Sequence, residues 1–532
     1  MERYDVVVIG SGMGGLAAAS LLAQLSRARV LVLERHFKRG GFTHTFKRPG
    51  NFHWDVGLHY VGGLEEGGRA RQLFDLVTRG GVRWKRMPDP FEVFEYPGFR
   101  FAVRAGEARF RDDLSAAFPE ERVAIDAYLS DLHRAGQDYI HLHAVSRTMP
   151  WPIGAAVGLL ARRREGLALQ TTGLYLAQRF RDRRLRSLVA SQWGDYGLPP
   201  AQSAFALHAM IATHYLEGGW YPEGTAQTIA DTVSPIVREA GGDLRVNCEA
   251  KEIVVEGGRA VGVRYIQRKG GASEEKEARA EAVISDAGAA TTFLGLLPSG
   301  AGPDVRNDIE RLGPGYSNVT LYVGLKENPE KLGFHGENHW IYDGWDHDEM
   351  FRRQAELLHG KASHCYLSFP SMKDPLARAP TAEIIAAVPQ EPFAPWRDEP
   401  WKNRGEEYEA LKNRIACALL DLVESRHAGF RDLVAYQELS TPITTERFTS
   451  HAGGAIYGLP GVPERWRIPW LGARTPVKAL WLAGADAVGH GIVGAMMGGV
   501  SASAGILGLR GFPRIFGAAK AFAGPRTKAL GL

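Results

Sequence analysis

The stretch Gly10-Ser11-Gly12-Met13-Gly14-Gly15 has a spacing that points to one kind of chemistry. It is a G-x-G-x-x-G turn with an acid, Glu34, 19 residues beyond Gly15, the pattern that holds a dinucleotide. Gly10 allows the tight turn, Gly12 lets the backbone approach a pyrophosphate, and Gly15 permits close helix–strand packing. The helix that starts here offers free N–H groups and a positive dipole end to phosphates. Glu34 can accept hydrogen bonds from ribose hydroxyls, and its charge repels an NADP 2′-phosphate. The competing reading is a glycine-rich structural turn. The flanks argue against it: Tyr4–Ile9 reads as an apolar strand, a helical pattern runs through Leu25, and Arg29–Leu33 reads as a second strand. The turn alone leaves FAD and NAD both open.

The residues after the second strand narrow this choice. Glu34-Arg35 followed by Gly40-Gly41-Phe42 resembles the extended signature of two-dinucleotide-binding-domain flavoproteins. Asp55-Val-Gly57-Leu58-His59-Tyr60 resembles the G-L-H-Y motif of retinol saturases and carotenoid isomerases. Gly218-Gly219-Trp220-Tyr221-Pro222-Glu223-Gly224 resembles a phytoene-desaturase-family motif, with Thr225 where that family has a second glycine. Gly241-Gly242, Ala250-Lys251-Glu252-Ile253 and Gly262-Val263 resemble the strand pair against the FAD adenosine half. Gly484-Ala485-Asp486, with Gly491-Ile492-Val493 opening a helix, resembles the C-terminal flavin motif.

The resemblance, to the phytoene desaturase, carotenoid isomerase and retinol saturase flavoproteins of the amine-oxidase-like superfamily, runs in order along nearly the whole chain. It implies an α/β fold. A Rossmann-like FAD-binding domain is assembled from discontinuous segments (1–85, 218–300, 441–509) and interleaved with an α+β substrate domain (86–217, 301–440). Residues 510–532 remain as a basic amphipathic tail.

The resemblance further implies a hydrophobic polyene or lipid substrate whose C=C bond is saturated or isomerised at FAD. Phytoene-type desaturation and amine-oxidase-like chemistry are the alternatives. His59 and Tyr60 are expected near the flavin as orienting groups or proton donors, and His490 beside the helix start that faces it. For each, the plainer reading is a hydrogen-bonded structural side chain. Trp220 and Tyr221 are either tunnel walls or core. His141 and His143 have metal-like spacing but no completing ligand, so no metal is expected. A second G-x-G-x-x-G is missing, so no dedicated NADPH domain is expected, and the external electron donor or acceptor is open.

Between the motifs, Phe91–Phe94 and Phe99–Val103 read as a hairpin, Val319–Leu325 and His364–Phe369 as strands, and 120–215 as helical with proline breaks. Val283–Ala287 reads as a short strand. The uncharged run Gly491–Leu509 contains six glycines and two serines, which fits a buried helix better than a membrane span.

The 64 basic and 60 acidic residues give a net charge of +4, too balanced for a nucleic-acid binder. Three scattered cysteines and no recognisable signal peptide suit a cytoplasmic chain. Residues 153–186 carry eight arginines against two acids beside the apolar run Ile153–Ala161. With the basic tail, they suggest peripheral contact with an anionic membrane.

Overall fold

The computed structural model describes residues 2–529, except 303 and 314, with side chains to 523. Strand β1 (Glu2–Ile9), helix α1 (Met13–Ser26) and strand β2 (Val30–Leu33) form a βαβ unit. The strands run parallel, with Val8 opposite Val32. The strand Ala272–Ser285 lies parallel on the other side of β1, and Asp243–Arg245 lies beyond β2. Leu480–Leu482 pairs in parallel with the end of Ala272–Ser285. Two further strands, Cys248–Glu256 and Arg259–Lys269, complete this sheet in antiparallel fashion. It is therefore built from segments far apart in the chain, as the resemblance implies.

The strand expected over 283–287 is longer than its sequence signal. Its first half, Ser273-Glu-Glu-Lys-Glu, is exposed and charged, so it lacks the apolar alternation that marks a half-buried strand.

A second seven-stranded sheet has the order Val434–Ser440, Asn318–Leu325, Thr381–Ala387, His364–Ser368, Asn338–Tyr342, Glu92–Tyr96, Phe99–Val103. The expected hairpin is there, and Tyr96 pairs with Phe99 across Pro97-Gly98. Residues 122–215 are mainly helical and pack against this sheet.

Helix Gly491–Ile506 is buried, and its small residues explain why. A Cβ on Gly499 would lie 2.1 Å from the Gly14 carbonyl of α1, so the two helices cross backbone to backbone. Among the described residues no helix is long and apolar enough to cross a membrane. The tail corrects an expectation. Residues 511–529 form a helix whose Phe512, Ile515 and Ala519 are buried against the dinucleotide-binding unit. These apolar side chains are spent on packing. Leu530 lies outside the described residues.

Two local features carry stability. Thr225 adopts φ +77°, a left-handed conformation that costs a β-branched residue about 1–3 kcal/mol. It is held in place because Asp55 Oδ1 accepts the next N–H, Ala226, at 3.0 Å, and Tyr221 donates to Asp55 Oδ2. Elsewhere, Glu95 Oε1 lies 2.6 Å from His339 Nδ1 and 3.0 Å from His427 Nε2, with Glu337 3.2 Å from His339 Nε2. Among the described residues, Glu95, His339 and His427 form the one group spaced to hold a metal ion, and they satisfy one another as a buried ion pair. Burial alone would raise Glu95; the two imidazoles instead hold it at about 2. His339 is disfavoured as a cation by burial, yet Glu337 and Glu95 raise it.

Two outcomes follow. Thr225→Gly should stabilise the protein by about 1 kcal/mol, read as a higher urea midpoint with unchanged slope. Glu95→Gln should cost about 3 kcal/mol, because it leaves buried imidazoles without their carboxylate. In the wild type, the Glu95 contribution is lost as pH falls from about 4.3 towards its depressed value. The His339 contribution is full below about 6.5 and is lost as pH rises through its raised value.

Candidate active site

The carboxyl ends of β1, β2 and Ala272–Ser285 open on a cavity of about 730 Å³, the position where open α/β sheets bind ligands. One stretch of its wall is Gly10, Gly12 and Met13 of the turn, with Glu34, Arg35, Gly41, Phe42 and Ala250. The wall continues through Gly57, Leu58 and His59 to Gly484, Asp486, Gly491 and Ile492. Of the expected cofactor contacts, Gly14, Gly15, Gly40 and Val493 stand behind this surface. Gly14 and Gly15 are packing positions: their Cβ atoms would lie 2.2 Å from Gly484 N and 2.3 Å from Gly10 O. Gly40 takes φ +118° and donates its N–H to Ser11 Oγ.

The cavity suits an elongated ligand with phosphates. Helices α1 and Gly491–Ile506 both begin at it, and neither N-cap residue caps its helix with a side chain, which suits a ligand's oxygens at these starts. A Cβ on Gly41 would lie 2.8 Å from Gly12 Cα, so the backbone is bare where a pyrophosphate would lie.

The acids here are already engaged. Glu34 Oε2 accepts from Ser11 N and Oγ at 2.9 and 2.7 Å, and its Oε1 accepts from His36 N at 2.8 Å. Glu34 therefore shapes the turn besides facing the cavity. Asp486 accepts from Ala289 N and Leu459 N. Asp286 gave no sequence signal as a site residue. Its carboxyl sits among Gly12, Gly14 and Gly484, and burial pushes it up to about 7 against the N–H groups of Gly15 and Gly12.

The other end of the cavity is aromatic, with Trp193, Trp340, Tyr366 and Tyr457 beside His59 and Asp195. His59 Nδ1 lies 2.7 Å from Glu383 Oε2. Lys373 donates to the His59 carbonyl, Asn338 Oδ1 and Ser368 Oγ. Burial brings its ammonium down to about 7, although Glu383, Glu92 and Asp55 pull it up.

Two expected catalytic residues are not on the wall. Tyr60 is buried behind it, stacked on Tyr215 with its hydroxyl between Glu92 and Asp195. His490 is also sealed in. Arg465 donates to its Nε2 at 2.8 Å, and its Nδ1 faces the Tyr196 carbonyl. Burial and the Arg465 charge hold it neutral, near 3, so it braces the helix start and has no proton to give at neutral pH. Trp220 and Tyr221 are core. His141 and His143 belong to no group of three or more metal-ligating side chains among the described residues.

The sequence reading missed Asp195, Glu92, Glu383 and Lys373. The signal available was an acid inside an otherwise apolar strand: Glu383 alone in Thr381–Ala387, and Glu92 together with Glu95 in Glu92–Tyr96. For Asp195 and Lys373 no spacing stands out.

Residues 8–77 match the family model of NAD(P)-binding Rossmann-like domains, and 215–323 that of GMC oxidoreductases. The chain is 32% identical over 535 residues to all-trans-retinol 13,14-reductase of Danio rerio, covering 95% of this chain and 86% of that protein. It belongs to that family of flavoprotein oxidoreductases. Prolycopene isomerase of Arabidopsis thaliana is a more distant relative, 24% identical over 512 residues, covering 93% of this chain and 81% of that protein. Cyclohexylamine oxidase of Brevibacterium oxydans shares the fold, with a TM-score of 0.59 and 18% identity over 98% of this chain and 99% of that chain.

Glu34→Ala should lower the stability of the cofactor-free protein by about 2 kcal/mol, because three buried donors lose their acceptor. Unfolding in urea with and without added FAD separates this loss from any loss of cofactor affinity.

Proposed function

We propose that the protein is an FAD-dependent reductase that saturates one C=C bond of a long apolar polyene, of the retinoid or carotenoid kind. The carrying observation is the single cavity that joins the dinucleotide turn to an aromatic wall. The N–H groups at the starts of α1 and of Gly491–Ile506 would hold the pyrophosphate and the flavin end. Glu34 would face the adenosine ribose, with Asp486 at the ribitol. Bound FAD supplies hydride transfer at the flavin N5. The chain's own part is to exclude water and hold one double bond in register. A polyene offers few polar handles, so selectivity falls to the shape set by Trp193, Trp340 and Tyr366. The likeness to prolycopene isomerase supports isomerisation as the second reading. It needs the same cavity but no net transfer of hydrogen. An external two-electron donor completes the reductase cycle.

We also propose peripheral attachment to the cytoplasmic face of an anionic membrane, through residues 151–163 rather than the whole of 153–186. Arg179 is tied to Asp131, Arg186 donates to the Phe180 carbonyl, and Arg184 lies over Trp345. By contrast, Trp151 is 84% exposed and Leu159 60%, next to exposed Arg162 and Arg163.

Acid precipitation should release FAD from the purified protein. Anaerobic incubation of dithionite-reduced protein with all-trans-retinol or a carotene should yield a product heavier by two hydrogens. Unchanged mass with altered retention would favour isomerisation, and release of FMN or NAD would overturn the proposal. Binding to anionic liposomes should weaken with salt. The double change Trp151→Ala, Leu159→Ser should weaken it by about tenfold or more.

A further inference from the structure

The Tyr60 hydroxyl carries one hydrogen and has two carboxyl neighbours. Its oxygen lies 2.7 Å from Glu92 Oε1 and 2.8 Å from Asp195 Oδ2. Tyr60 can donate to only one of them, so the other contact requires a hydrogen on the carboxyl itself. Glu92 accepts from Trp340 Nε1 at 2.7 Å and from Gln192 Nε2 at 2.7 Å. An indole N–H only donates, so Glu92 is furnished as the ionised partner and takes the Tyr60 hydrogen as well. Asp195 is left as the carboxyl that carries the proton. Among the described residues Tyr60 is its one side-chain hydrogen-bond partner, and its remaining surface faces the cavity.

We propose that Asp195 is a neutral carboxylic acid on the cavity wall and the general acid that protonates one carbon of the substrate's double bond, with Tyr60 and Glu92 as positioning residues behind it. This rests on the polyene-reductase reading above. Burial and the Glu92 charge both raise Asp195 well above the carboxylate range, and burial lifts Glu92 itself to about 7. Lys373, 6.0 Å from the Tyr60 ring centre, helps keep Glu92 charged.

His59, also on this wall, is committed to another partner. It directs Nδ1 to Glu383.

The balance is simple. Saturating C=C adds two hydrogens and two electrons. One hydrogen arrives with both electrons as hydride from reduced FAD, itself replenished by the external two-electron donor. The other arrives as a proton: with substrate seated, the Asp195 carboxyl turns its O–H from Tyr60 into the cavity, that O–H bond breaks, its electron pair stays on the carboxylate, and a C–H bond forms at the neighbouring carbon. The Tyr60 hydrogen then turns from Glu92 to the new Asp195 carboxylate, and solvent restores the proton after product leaves. Isomerisation has no such demand, so Asp195 is a feature that sorts reduction from isomerisation.

Asp195→Asn keeps the size of the side chain and removes the acid. With FAD bound and the melting temperature unchanged, single-turnover reduction of all-trans-retinol by the pre-reduced variant should fall by about 10² or more. Asp195→Glu should recover part of the rate. In 2H2O the wild-type product should carry two solvent deuteriums, one through Asp195 and one through the exchangeable N5–H of reduced FAD.

A readout independent of turnover is the infrared C=O stretch of a protonated carboxyl. The Asp195 band, read as the difference from Asp195→Asn, should be present in wild type and Glu92→Gln and shifted in Tyr60→Phe, which keeps the ring stack but loses the hydroxyl. Wild-type turnover in Asp195→Asn, or no Asp195-dependent band, overturns the proposal. A wild type that reduces no polyene yet keeps the band would sink the function proposed above, but not the protonated state of Asp195.

Discussion

The structure depends on one crowded junction where the N-terminal turn and the C-terminal glycine-rich segment meet without room for a side chain. A Cβ on Gly14 would lie 2.2 Å from Gly484 N, one on Gly498 would lie 2.3 Å from Gly484 O, and one on Gly499 would lie 2.1 Å from Gly14 O. Even alanine at these positions would push backbone against backbone, which a packed interior cannot absorb locally. This closeness lets two helix starts, Met13 and Gly491, converge on one cavity although nearly the whole chain separates them. The substrate sheet can then be interleaved between the segments without disturbing the cofactor side. The Gly491–Ile506 helix looks apolar enough to raise the membrane question because it has to be smooth.

What the sequence made legible was what local geometry requires. The G-x-G-x-x-G turn, the hairpin around Pro97-Gly98 and the buried Gly491–Ile506 helix each carry their own reason in adjacent residues. What it hid was set by tertiary placement. The first half of Ala272–Ser285 is charged because it projects into solvent, so its strand character comes from its partner and not from alternation. Phe512 and Ile515 of the tail look free for a membrane in sequence and are docked in the fold. His490, between two glycines at a flavin-like motif, looks catalytic. Arg465 and Tyr457 instead hold it one layer behind the wall. Glu92 and Glu383 were visible as acids in apolar strands, Glu92 sharing its strand with Glu95. Their meaning came only with Tyr60, His59 and Lys373 packed around them.

The site thus has two ends with different physics. At one end, backbone N–H groups and bare glycines receive a charged, extended cofactor. At the other, aromatic rings enclose an apolar chain, and the wall's polar groups are held by a buried network. In such surroundings an ionised group is costly and a neutral acid is not. The same burial that would trap a misplaced charge therefore keeps Asp195 supplied with a proton.

A neutron structure of the protein crystallised in 2H2O would locate that proton directly. The account predicts deuterium on Asp195 Oδ2, directed at the Tyr60 oxygen, and the Tyr60 deuterium directed at Glu92. A bare Asp195 carboxylate accepting the Tyr60 deuterium, with the acid proton on Glu92, would contradict it.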